Sequence, residues 1–246
     1  MKLALECPTA ILDMVQPFGD IDWIIAPYVL KDKDYAEFYR QSKRLKVLNN
    51  TDGVAEPLGI DDFKKAFDAI GGNAVIIPPD EANDRDKTLV AYGEYCKEFG
   101  DASVVGVLQG DSFKNALSCL AYYKGEVAVP YNLGSDASAP NWLMGLRRAL
   151  VVSNIPADRP VHLLGFNTVE ELEWYEGRAN VVSINTGYPV LLGLEEADIL
   201  DTERMLGKPE ATFPQMAKLC PDEKRLTQTK YTAVIRNIAL LRRYLG

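Results

Sequence analysis

The sequence predicts an α/β chain closed into a (β/α)₈ barrel, and three features carry that expectation. Short apolar runs alternate with longer amphipathic ones along most of the chain. The short runs are apolar at successive positions rather than at every second one, as parallel strands covered on both faces require. The length of 246 residues suits a single barrel, a class that runs to about 250 residues. An open, doubly wound sheet is the alternative; no glycine-rich phosphate loop follows an early strand, which disfavours it. No linker or low-complexity stretch interrupts the pattern, so residues 1–246 are expected to form one domain.

Taken in order, the elements alternate as a barrel demands. Trp23 to Leu30 is read as a strand and Tyr35 to Ser42 as a helix. Lys46 to Asn49 is the next strand, and Ile60 to Ile70 a helix ended by Gly71-Gly72. Ala74 to Ile77 precedes a long helix, Asn83 to Phe99, with Gly100 as its C-cap. Ser103 to Leu108 leads into a helix from Ser112 to Lys124, closed by Gly125. Val127 to Val129 leads into Asn141 to Ser153. Val161 to Leu164 precedes a helix from Thr168 to Glu176, whose Thr168 and Glu171 have capping-box spacing. Val181 to Ile184 is the seventh strand. Beyond it the pattern weakens, and residues 191–220 are expected to hold a last strand and irregular loops. A basic helix from Asp222 to Leu245 ends the chain, with Tyr231, Val234, Ile238, Leu241 and Leu245 on one face.

Composition removes several classes of function. The four cysteines, Cys7, Cys96, Cys119 and Cys220, are far apart, and His162 is the one histidine. No zinc site or other metal centre is expected from such spacing, nor a disulfide framework in a chain of this length. No cofactor is implied. The first residues have too short an apolar run for a signal peptide, and no run reaches the ~18 residues that span a membrane. The expectation is a soluble, cytoplasmic protein with no membrane partner. A net charge of −8 argues against indiscriminate coating of nucleic acid and leaves room for a local basic strip. Oligomeric state is not legible.

In a barrel of this kind the chemistry sits just after the strands, and those positions are polar here. They hold Asn49-Asn50-Thr51-Asp52-Gly53, Pro78-Pro79-Asp80-Glu81, Gln109-Gly110-Asp111, Pro130-Tyr131-Asn132, Gly165-Phe166-Asn167 and Asn185-Thr186-Gly187-Tyr188. Amides and carboxylates can pair with the edges of a nucleobase, and tyrosine can stack on its face. Each segment also has a plain structural reading. Asn-Asn-Thr-Asp-Gly makes an ordinary turn, Asp80 and Thr168 suit helix caps, and Tyr131 suits packing. His162 lies inside an apolar run and is read as a core residue. The joint placement at one end of the barrel points to a ligand with a nucleobase.

At these loops the sequence resembles the tRNA-guanine transglycosylase superfamily, and most of all its shorter, zinc-free branch, the deoxypurine-in-DNA protein A family of phages and bacterial islands. Val104-Val105-Gly106-Val107-Leu108-Gln109-Gly110 resembles the family strand whose glutamine reads the base. Ile76-Ile77-Pro78-Pro79-Asp80 resembles the strand whose aspartate also contacts it, and Val127-Ala128-Val129-Pro130-Tyr131 the next pocket segment. The likeness runs in order from about residue 22 to 190. Two departures matter. The family's nucleophilic aspartate is replaced in Ser183-Ile184-Asn185-Thr186-Gly187, and the acid/base aspartate after the second strand is replaced in Leu48-Asn49-Asn50, although Asp52 lies close by. The zinc-binding segment of the tRNA enzymes is absent.

A carboxylate can form a covalent link to the anomeric carbon while bases exchange; a neutral amide is a poor substitute. The resemblance with its departures therefore implies hydrolysis of the N-glycosidic bond, with Asp52 or Asp80 activating water and Asn185 orienting it. Asn49, Asn50, Gln109, Gly110, Pro130, Tyr131, Asn167 and Tyr188 are the expected substrate-binding residues. DNA is the expected partner, gripped by Arg147, Arg148, Lys224, Arg225, Arg242 and Arg243, although the same cations fit a solvated helix face. The leading expectation is a DNA glycosylase acting in phage–host conflict on a hypermodified base such as glucosylated hydroxymethylcytosine. The alternatives are a transglycosylase inserting a 7-deazaguanine and a non-catalytic barrel that binds a modified base.

Overall fold

Eight parallel strands form the sheet: β1 (Lys2–Leu5), β2 (Ile21–Ile25), β3 (Lys46–Asn49), β4 (Val75–Ile77), β5 (Gly106–Val107), β6 (Val127–Pro130), β7 (Val161–Leu164) and β8 (Val181–Thr186). Their order is β4-β3-β2-β1-β8-β7-β6-β5. The two ends of this order meet through a parallel bridge between Ile76 and Val104, and the Val105 amide donates to the Ile76 carbonyl at 2.9 Å. The result is a nearly closed barrel of the predicted (β/α)₈ type, with helices outside. The structure is a computed structural model. It describes residues 1–50, 56–131, 133, 141–165, 168–200 and 213–246, without the side chains of 141 and 142.

The eighth strand is not where the sequence pattern placed it. It is β1, at the start of the chain, which fills the gap between β2 and β8 with Ala4 opposite both Ile21 and Asn185. Four residues are too few for periodicity to mark, and only pairing on both edges makes the segment a strand. The described residues of 191–220 are instead largely helical, in α9 (Tyr188–Leu194) and α10 (Phe213–Leu219). The apolar run from Trp23 to Leu30 also divides. It is strand only to Ile25, then turns into α2 (Ala26–Lys31), whose Pro27 suits a first helical turn, where no amide partner is needed.

The remaining helices are α1 (Leu12–Val15), α3 (Lys33–Gln41), α4 (Ile60–Ala69), α5 (Arg85–Phe99), α6 (Phe113–Ser118), α7 (Asn141–Ser153), α8 (Glu170–Glu173) and α11 (Gln228–Leu245). α1 falls where no element was expected, α6 and α8 are shorter than expected, and the others lie close to their expected spans. Side chains that accept backbone amides start several of them: Asp32 for α3, Asp84 for α5, Ser112 for α6 and Thr227 for α11. Asp84, not Asp80, caps α5. The capping box expected at Thr168 is not formed, because Val169 takes the N-cap position of α8 and Glu171 is drawn into an ion pair. Gly100 does end α5, at φ +84°.

Strand register sorts side chains between the barrel's interior and its helical coat. Lys2, Ala4, Trp23, Val47, Ala128, His162, Ser183 and Asn185 share the inner face. Trp23 and His162 stack across that interior, with ring centroids 5.1 Å apart and planes 7° from parallel. Alanines at positions 4 and 128 leave the two rings space, the small-against-large filling that a narrow barrel needs. The helical coat closes where α9 meets α11. Among the described residues no helix is long and apolar enough to cross a membrane.

Candidate active site

The carboxyl ends of the strands form the mouth of the barrel, and the polar positions gather there. Asp80 follows β4 and Gln109 follows β5, so the two flank the seam. Gln109 is fully buried. Its Nε2 donates to Asp80 Oδ2 at 2.6 Å, and its Oε1 accepts the Asn83 amide at 3.3 Å. The amide is thus fixed in one orientation, held from the loop side by Asn83 in a left-handed conformation at φ 62°. Gly110 sets the backbone beside it. A Cβ there would stand 2.7 Å from the Ala116 amide, so only glycine lets α6 close on the strand end. Burial raises the Asp80 carboxyl above its ordinary range, partly offset by the Gln109 hydrogen bond.

On the opposite side of the ring, β1 and β8 bring together a second carboxylate–amide pair. Asn185 Nδ2 donates to Glu6 Oε1 at 2.6 Å. Asn185 Oδ1 accepts both the Gly165 amide at 3.1 Å and a hydrogen bond with His162 Nε2 at 3.0 Å. The Gly165 amide can only donate, so the Asn185 oxygen must face it and the NH₂ must face Glu6. His162 Nε2 then carries a proton. Burial pushes the imidazole down to about 4, so it is neutral, and its Nδ1 accepts from Ser183 Oγ at 2.7 Å. Ser183 Oγ lies 3.4 Å from Glu126 Oε1, at the amino end of the barrel, where burial raises the Glu126 carboxyl. A hydrogen-bonded line therefore runs through the barrel interior from Ser183 through His162 and Asn185 to Glu6.

Several expected ligand contacts turn out to be framework. Asn50 is fully buried, and its side chain clamps the loop after β3. Its Nδ2 donates to the Leu58 carbonyl at 2.9 Å and to Tyr95 Oη at 2.6 Å, while Oδ1 accepts the Leu58 amide at 2.9 Å. Both hydrogens of that amide are thereby used within the framework. Tyr188 begins α9 and is buried in the core; its hydroxyl has no partner among the described residues. Tyr131 is buried with the Arg148 guanidinium 4.9 Å from its ring centroid. Pro130 ends β6 inside the sheet. Asn49 is half-buried and shares the inner face with Val47, so it does border the mouth. Asp52 and Asn167 lie outside the described residues.

The expected cations separate by position. Arg148 is fully buried and binds Glu171 through Nε and Nη2 at 2.7 and 2.8 Å. Its Nη1 donates to the carbonyls of Leu164 and Gly165 at 2.8 and 2.7 Å, fixing the turn that presents the Gly165 amide to Asn185. This arginine cannot reach a phosphate. Arg147, beside it on α7, is half-buried. Arg242 is held by Asp20 and the Phe18 carbonyl, and the Met1 amino group donates to Leu245. The end of α11, with Arg242 and Arg243, is therefore at the amino end of the barrel, away from the mouth. By contrast, α10 lies over the mouth. Its Phe213 stacks on Tyr28 with centroids 4.0 Å apart, and Met216 packs against Gly187. Lys224 and Arg225, just beyond α10, are exposed.

Glu6 was missed at the level of sequence, whereas His162 is buried as its apolar run predicts. The signal for Glu6 was an apolar run, Leu3-Ala4-Leu5, ending in an acidic residue, as other strands here end in polar ones. Comparison of the chain with known family models and with curated proteins finds no match.

Proposed function

We propose that this chain hydrolyses the N-glycosidic bond of a modified base in DNA and leaves an abasic site. The observation that carries this reading is the pair of carboxylate–amide couples, Asp80–Gln109 and Glu6–Asn185, on opposite sides of one barrel mouth. A fixed amide beside a carboxylate offers a donor and an acceptor to the edge of a flipped base. A second couple across the mouth leaves a carboxylate for the sugar side. Resemblance to the deoxypurine-in-DNA protein A family supports the choice of base and of DNA. A hypermodified phage base, such as glucosylated hydroxymethylcytosine, is the candidate substrate, and phage–host conflict in the cytoplasm the setting.

Base exchange has less support. It needs a carboxylate where Asn185 stands, and that side chain is neutral with its oxygen turned away from Glu6. Incubation with modified and unmodified phage DNAs, followed by alkaline cleavage and mass spectrometry of released bases, tests the proposal. Free base with strand scission at abasic sites is expected from at least one modified DNA. Incorporation of labelled deazapurine without abasic sites would favour exchange. Binding without either product would favour the non-catalytic barrel.

A further inference from the structure

Asn185 has its orientation dictated by groups that are not part of any substrate. Its oxygen is claimed by a backbone amide and by a buried neutral imidazole, so its NH₂ must point at Glu6. An NH₂ aimed at a carboxylate favours the ionised form. An aspartate at position 185 would do the reverse. It would put two carboxylates 2.6 Å apart, where both cannot be ionised. Glu6 and an asparagine at 185 are therefore chemical complements.

We infer that Glu6 is the catalytic carboxylate, a general base for water, and that Asn185 is its positioning residue, backed by His162 and Ser183. This inference rests on the glycosidic-bond reading above. The half-buried Glu6 follows β1 at the mouth, where its amide extends the ladder to the Thr186 carbonyl at 3.0 Å. A carboxylate has about four lone-pair positions and can accept several hydrogen bonds at once. In the reaction, the C1′–N bond breaks and its electron pair leaves with the base. The water oxygen bonds to C1′, and one water proton passes to Glu6. That proton then returns through solvent to the departed base. The sum is water plus nucleotide giving a C1′ hydroxyl and the free base.

The test uses the full chain and the modified DNA on which wild type releases base, under single turnover, with affinity measured separately. Glu6→Gln is expected to slow base release by about 10²–10⁴-fold with DNA affinity within twofold of wild type. Glu6→Ala is expected to recover part of its rate with added sodium formate. Asn185→Ala should lower the rate while leaving affinity unchanged, whereas Asp80→Asn should weaken binding. Thermal melting checks that each variant folds. Release by Glu6→Gln at near wild-type rate, or failure of formate to restore Glu6→Ala, overturns the role of Glu6 and leaves the glycosylase reading standing. Absence of base release by wild type across the DNA panel overturns both.

Discussion

His162 is neutral because burial in the barrel denies its charged form solvent, and this gives it a consequence for stability. The unfolded chain takes up a proton on the imidazole below about pH 6.5. The folded chain refuses it until about 4. Stability contributed by this group is therefore complete above pH 6.5 and is lost as pH falls toward 4. Chemical denaturation at pH 7 and pH 4.5 should show His162→Gln losing less stability than wild type, by roughly 2–3 kcal/mol. Because this is the one histidine in the chain, its titration can be followed by NMR without overlap. The raised Asp80 and Glu126 carboxyls act with opposite sign at lower pH, and the variant comparison removes them. Residue identities alone made Asp80, Gln109 and Asn185 visible as site candidates, since polar residues after apolar runs are a local signal. Arg148 was misread for the same reason: an Arg147-Arg148 pair looks like surface charge until the fold supplies Glu171 and two carbonyls.

At the level of elements, the packing of α9 on α11 depends on Gly193. A Cβ at this position would stand 2.4 Å from the Val234 Cα, a backbone atom that cannot rotate aside. Gly193→Ala should lower the unfolding free energy by about 1–3 kcal/mol, measured by urea denaturation. Gly93, inside α5 with nothing within 4 Å of its missing Cβ, provides the contrast. Gly93→Ala should stabilise by about 0.5–1 kcal/mol through helix propensity. Most helices were legible because their caps and periodicity are written within one turn of their ends. The strand–helix change at Ile25–Ala26 was not, since both states use the same apolar run there, although Pro27, which cannot donate to a sheet ladder, marks it.

For the whole molecule, a net charge of −8 must coexist with a DNA partner in the proposed function. Only cations near the mouth can then contribute, and Lys224 and Arg225 are the exposed ones beyond α10. Anisotropy titrations over a range of KCl should show Lys224→Ala weakening binding to all sequences alike and reducing the slope of log K against log salt by about 1. Arg242→Ala, paired with Asp20 at the far end, should leave the slope unchanged. By itself the sequence determined the barrel class, the helical coat and the polar character of the strand ends, because each is a pattern within a few neighbouring residues. Tertiary structure alone decided that β1 completes the ring, that Arg148 is interior, and that Glu6 meets Asn185 across 179 positions of chain. Those outcomes depend on strand register and on burial of charge, which arise between distant segments and leave no local period in the sequence.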